Sequence, residues 1–85
     1  MVRQVEIEFE TAHPAEAIEL RLGELTRGGP FAVRRLTTSG AGRWRLTCAL
    51  SDPGLAVGFG KVVELQALLA REFDLLAVRR LPAAS

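Results

Sequence analysis

The sequence predicts an α+β fold, a four-stranded antiparallel sheet carrying two helices on one face in the order βαββαβ. Three observations predict it. Two stretches, Val5-Ile7-Phe9 and Trp44-Leu46-Cys48-Leu50, place an apolar residue at every second position, the period of a half-buried strand. Two others place apolar residues three and four apart shortly after a proline, as amphipathic helices do. Finally, Ala32-Val33-Arg34-Arg35-Leu36 returns as Ala77-Val78-Arg79-Arg80-Leu81, each copy behind one of those helical stretches, as two βαβ halves would arrange it.

Each element follows from its residues. Strand β1 (Arg3–Glu10) sets Val5, Ile7 and Phe9 on one face and Gln4, Glu6, Glu8 and Glu10 on the other. Thr11-Ala12-His13 turns the chain, and Pro14 suits a first helical position because it has no N–H to leave orphaned. Helix α1 (Ala15–Arg27) repeats Ile18, Leu22 and Leu25 at helical spacing, with Glu16 and Glu19 near the end where the dipole favours them, and Gly28-Gly29-Pro30 stops it. In β2 (Phe31–Thr38), Phe31 and Val33 are out of phase with Leu36, which predicts a bulge near Arg34-Arg35 or burial on alternate faces. A four-residue turn, Ser39-Gly40-Ala41-Gly42, leads into β3 (Arg43–Leu50). Ser51-Asp52-Pro53 offers an N-cap and a proline for α2, which runs to about Glu72 through Leu55, Phe59, Val62, Leu65 and Leu69. Gly58 and Gly60 each weaken its first turns by roughly 1 kcal/mol relative to Ala, so an irregular start or a close backbone approach is expected there. Leu75–Leu81 is β4. These elements make one domain over residues 1–82 with a tail over 83–85, a ferredoxin-like sandwich with β1 and β3 as central strands.

Composition narrows the function classes. At 85 residues, with 48% hydrophobic and 25% charged, the chain is an ordinary globular domain, short enough that a subunit interface would usefully enlarge its core. A net charge of +1 lacks the broad positive field of nucleic-acid binders, the chain has no tyrosine, and no exposed strand aromatics offer a stacking surface for RNA bases. A partner nucleic acid is therefore not expected, nor a membrane, because charged residues interrupt every apolar run. One cysteine forms no internal disulfide, and the first residues lack a signal-peptide pattern, so the expected location is cytoplasmic. Leu75, Ala77 and Leu81 alternate with Leu76 and Val78, which gives β4 two apolar faces and predicts a homodimer or larger.

The residues with chemical potential are few. His13 is the single histidine, beside the mouth of α1, where it serves as a turn residue or meets a carboxylate ligand alongside the helix N–H groups. One His and one Cys are too few for a zinc site, and Cys48 alternates with core residues as a small hydrophobe. Glu6, Glu8 and Glu10 face Arg43 and Arg45 if β1 pairs with β3, a charge ladder rather than an acid–base cluster. Gly54 to Lys61 resembles a phosphate loop but has one residue too many, and Val62 stands where a magnesium-binding hydroxyl belongs. No catalytic residues, metal or cofactor are expected.

Strand β1, the run Leu25-Thr26-Arg27-Gly28-Gly29-Pro30-Phe31-Ala32-Val33, the strand Leu36-Thr37-Thr38 and the alternating β3 together resemble the ACT-type domains of acetolactate synthase small regulatory subunits. The likeness covers about residues 5–50. It implies a ferredoxin-like dimer that binds an amino acid or similar effector near the β1–α1 turn and regulates a separately encoded enzyme. By that resemblance the ligand-binding residues are Thr11, His13, Gly29 and Phe31, near an interface and drawn from both chains. The family's Asp-x-Pro-Gly turn before the first helix reads Thr11-Ala12-His13-Pro14 here, and a related Asp52-Pro53-Gly54-Leu55 precedes the second. The contrasting expectation is a small dimeric ferredoxin-like enzyme, of the monooxygenase or cyclase kind, with a pocket between helices and sheet. Polar groups on the inner sheet face would distinguish it, and the inner positions are almost wholly apolar.

Overall fold

The computed structural model describes residues 2–50 and 58–82. The cap Ser51-Asp52-Pro53, the Asp52–Leu55 turn, the first half of the phosphate-loop look-alike and the tail 83–85 lie outside the described residues. The elements run β1 (Val2–Glu10), α1 (Ala15–Thr26), β2 (Phe31–Gly40), β3 (Arg43–Leu50), α2 (Phe59–Ala70) and β4 (Asp74–Pro82). All strand pairs are antiparallel in the order β2-β3-β1-β4, so β1 and β3 are central, the ferredoxin-like arrangement.

Alternation in the two central strands sets the register. Val5, Ile7 and Phe9 pair with Cys48, Leu46 and Trp44 on one face, while Glu6, Glu8 and Glu10 pair with Thr47, Arg45 and Arg43 on the other. Ile18 and Leu22 of α1 and Val62, Leu65 and Leu69 of α2 close over the apolar face. Val5, Ile7, Phe9, Leu46 and Cys48 are thereby removed from solvent, each large side chain contributing about 1.5–3 kcal/mol. Phe73, which periodicity did not assign to the core, packs its ring 4.7 Å from that of Phe9. Trp44 keeps the inward phase expected of it but is only half-buried, because it stands at the end of the sheet beside Thr38.

Local differences have local causes. Pro14 occupies the cap of α1, not its first turn, with extended backbone (φ −70°, ψ 160°) and its carbonyl accepting the Ile18 N–H at 3.1 Å. Strand β2 runs on to Gly40, which pairs with Arg43, so the predicted four-residue turn contracts to Ala41-Gly42. Gly42 has φ +71°, and a Cβ there would lie 3.3 Å from the Thr11 carbonyl oxygen, while its own carbonyl accepts the Thr11 N–H at 2.9 Å. Helix α2 starts at Phe59, after Gly58 in extended backbone (φ −85°, ψ −179°), and ends at Ala70. It stops short of Glu72 because the N–H groups of Glu72 and Phe73 both return to the Leu69 carbonyl, at 3.0 and 2.9 Å.

The predicted bulge in β2 is present: Val33 pairs with Cys48 and Arg35 with Thr47, leaving Arg34 as the extra residue. A second slip corrects the expected phase of β4. Leu75 pairs with Phe9 and Ala77 with Glu8, so Leu76 is extra, and Leu75 joins Val78 against the core instead of lying opposite it. Leu76 is 47% exposed, and Leu81 pairs with Gln4.

Candidate functional site

Helix α1 divides the candidate residues between two ends of the molecule. Thr11 and His13 lie where β1 ends, beside Gly42 and the α2–β4 turn, whereas Gly29 and Phe31 lie where β2 begins, opposite Leu50. The 12 residues of α1 span about 18 Å at ~1.5 Å per residue, so one chain does not bring the four together. Gly29 and Phe31 share one hollow, whereas Thr11 and His13 border two neighbouring ones.

At the first end the Thr11 hydroxyl accepts the His13 N–H at 3.2 Å, the local hydrogen bond of a Ser/Thr turn, and leaves the imidazole exposed. His13, Ala17, Arg21, Glu72 and Phe73 border a cavity of about 170 Å³. Arg21 bridges it, pairing with Glu24 at 2.8 Å along its own helix and with Glu72 across the gap. The hydrogen bond from Arg21 holds the Glu72 carboxyl below its ordinary range, with a smaller contribution from the nearby His13. Glu72 in turn pushes the Arg21 guanidinium up. A neighbouring hollow of about 220 Å³ meets Glu10, Thr11, Arg71 and Asp74 and is polar, with Glu10 already paired to Arg43. Sequence periodicity had no means of finding Arg21 and Glu72, which are 51 positions apart and meet only because α1 and the α2–β4 turn pack side by side.

The second end is apolar. Leu25 of α1, Phe31 of β2, and Leu65 and Leu68 of α2 form a notch of about 100 Å³, with Gly29 on its edge and Lys61 and Glu64 at its rim. The backbone opens it: Gly28 takes φ +76°, a left-handed conformation that glycine adopts without strain, and the Gly29 N–H returns to the Thr26 carbonyl at 3.2 Å. Lys61 and Glu64 pair at 3.3 Å one turn apart on α2, a spacing visible in the sequence and not singled out there.

The open sheet face carries the expected ladder. Arg45 pairs with Glu8 at 2.9 Å and Glu6 at 3.6 Å, Arg43 with Glu10 at 2.9 Å, and Arg79 of β4 with Glu6 at 3.6 Å. These carboxylates neutralise arginines, and each exposed pair contributes from a few tenths to about 1 kcal/mol at most. Cys48 is fully enclosed, and burial pushes its thiol up to about 12, which suits a core residue and not a nucleophile. Among the described residues no three His, Cys, Asp or Glu side chains converge as a metal site, and no helix is long and apolar enough to cross a membrane.

No known protein family matches the chain by sequence, and no curated protein does. Its fold is similar to a solved structure, that of the TT0538 protein from Thermus thermophilus, with a TM-score of 0.83 at 20% sequence identity. The match covers 93% of this chain and 18% of that one, so the chain spans less than a fifth of that protein's length. At this identity the likeness establishes the ferredoxin-like fold alone.

Proposed function

We propose that the chain is a small non-catalytic regulatory or assembly module of the ACT type, a cytoplasmic homodimer or larger that acts on a separately encoded enzyme and answers to an amino acid or similar small effector. The observation that carries this reading is the filled interior. Ile7, Phe9, Leu46, Ile18, Leu22 and Leu69 are all withdrawn from solvent in the layer between sheet and helices. A monooxygenase or cyclase of this fold needs that layer for its substrate. The remaining hollows lie at the ends of the helices, where an effector reaches them from solvent.

Self-association has support in the edges. Strands β2 and β4 each have one strand neighbour within the chain, and Val33 and Leu76 stand 38% and 47% exposed on them. Pairing either edge with a twin covers apolar surface that a domain of 9.2 kDa has few other means to bury.

Sedimentation at micromolar concentration, together with melting curves in each of the twenty amino acids, tests the proposal. A dimer whose melting temperature rises with one or a few of them supports it, since a ligand at 100 times its Kd stabilises by about 2.7 kcal/mol. A monomer that responds to none of them sinks it.

A further inference from the structure

On the open face of the sheet one rung runs through Arg35, Thr47, Glu6 and Arg79, from β2 across β3 and β1 to β4. Its carboxylate, Glu6, already accepts Arg45 and Arg79, each at 3.6 Å. Glu6 stands two strands away from Arg35, about 9–10 Å at ~4.8 Å per strand. Arg34, the bulge residue, is exposed next to Arg35, and among the described residues neither meets a carboxylate. The rung therefore ends at the β2 edge on an uncompensated positive charge.

The other edge of the sheet shows what this one lacks. In β4 the same Ala-Val-Arg-Arg-Leu run lies against β1, whose Val5, Glu6 and Ile7 set a carboxylate opposite Arg79 and apolar residues on the rungs to either side. In β2 the inner neighbour β3 supplies Cys48, Thr47 and Leu46 on the corresponding rungs, so the apolar side chains are met and the charge is not. The outer side of β2 has no strand neighbour among the described residues, and Val33 stays 38% exposed beside the bulge. An edge of this kind accepts a further strand through its backbone groups, and the side chains at alternate positions select which one. A second copy of β2 fits poorly. Arg34 and Arg35 lie near the middle of Phe31–Gly40, so a two-fold axis that pairs two such strands along their length gathers the arginines of both copies with no carboxylate between them.

We propose that the outer edge of β2 binds an extended acidic segment of a partner protein, alternating apolar residues with glutamate or aspartate, which adds as a fifth strand with a carboxylate on the Arg35 rung and apolar side chains beside Val33 and Leu36. The proposal rests on the assembly reading above for the existence of a partner, and it leaves β4 as the edge for a twin.

The test titrates the full chain, up to millimolar ligand, with a synthetic peptide that alternates valine with glutamate and with a counterpart that alternates valine with lysine, followed by nuclear magnetic resonance of the backbone amides. The glutamate peptide is expected to shift the β2 amides and slow their hydrogen exchange, to leave the β4 amides unmoved, and to bind less tightly as salt rises. The lysine peptide is expected to move neither strand. Arg35→Ala, at an exposed position, is expected to weaken the glutamate peptide about fivefold, as the loss of one exposed cross-strand ion pair does, whereas Arg79→Ala leaves its affinity unchanged. Arg34→Glu combined with Arg35→Glu is expected to reverse the choice between the two peptides. Equal binding of both peptides by the native chain overturns the proposal, as do shifts confined to β4 or no shift at all with the glutamate peptide. Signals in β2 that follow protein concentration without peptide overturn it in favour of a second copy. The melting curves in amino acids are independent of these outcomes, so a chain that ignores the peptide yet answers to an effector loses this edge site alone, and a monomer that binds the peptide but answers to no amino acid loses the effector reading alone.

Discussion

The same five residues, Ala-Val-Arg-Arg-Leu, form part of both edge strands, and the two copies sit differently. In β4, Ala77, Val78, Arg79, Arg80 and Leu81 pair one for one with Glu8, Ile7, Glu6, Val5 and Gln4 of β1. In β2, Ala32 and Val33 pair with Ala49 and Cys48, Arg34 is passed over, and Arg35 and Leu36 meet Thr47 and Leu46 of β3. The copies begin in the same phase and end in opposite ones. A strand's own sequence therefore does not settle its register; the row it pairs with does. Strand β3 offers the fully buried Leu46, and the bulge at Arg34 delivers Leu36 to it. Strand β1 offers Glu6, and the unbroken ladder delivers Arg79 to within 3.6 Å of that carboxylate. Among the described residues no carboxylate pairs with Arg34 or Arg35, because β3 presents Thr47 at that level.

The strongest way to break this comparison is to remove the seat that requires the bulge. Leu46→Ala is expected to cost about 2–5 kcal/mol, the transfer term plus the cavity left beneath Leu36. Denaturant unfolding measures it, and a loss under about 1 kcal/mol would mean that Leu36 does not rest there and that Arg34 is not the extra residue.

The next effect in size contrasts the two valines directly. Val78 packs against the core opposite Ile7, whereas Val33 is 38% exposed opposite Cys48. Val78→Ala is expected to cost about 1–2 kcal/mol and Val33→Ala less than about 1, following the apolar area each one buries. Equal losses would remove the difference in cover between the two edges.

How legible each copy was in the sequence follows from its neighbours. The bulge in β2 could be read because Phe31 and Val33 fall out of step with Leu36 across two charged residues. The slip at Leu76 could not, since Leu75, Leu76, Ala77 and Val78 are all apolar and an unbroken apolar run has no phase to lose. Element order, central strands and the Glu–Arg ladder were legible for the opposite reason, that clean alternation leaves only one way round. The candidate site was legible only in pieces. Turn chemistry marked Thr11-His13 and Gly29-Phe31, but the length of α1 sets them at opposite ends. Arg21 and Glu72 carry no local signal of their meeting at all.

A smaller effect separates the arginines. Arg79 is 66% exposed and Glu6 20%, so Arg79→Ala is expected to lower stability by a few tenths of a kcal/mol, a difference that fades in 1 M salt. Arg35→Ala, with no carboxylate to lose among the described residues, should change stability within the error of the same titration. A salt-dependent loss in Arg35→Ala as large as that in Arg79→Ala would show that the two copies share one electrostatic role.

The finest probe uses Cys48, which lies beneath the β2 copy with Val33 and Val5 as its cross-strand neighbours. Burial favours the neutral thiol and pushes its titration from 9.0 up to about 12. The sign follows: as pH rises past about 9 the unfolded chain gives up this proton while the folded chain keeps it, so stability falls with pH in that window. Near pH 8 the native thiol is un-ionised and enclosed, and a disulfide reagent should react only through opening of the structure. Because Val33 is its neighbour on the thinly covered edge, Val33→Ala is expected to speed labelling more than Val78→Ala does, although Val78→Ala costs more stability. That reversal of order distinguishes local peeling of β2 from global unfolding. Labelling rates that simply track the stabilities of the two variants would mean that both edges open together, and immediate labelling of the native protein would mean that β3 faces the other way.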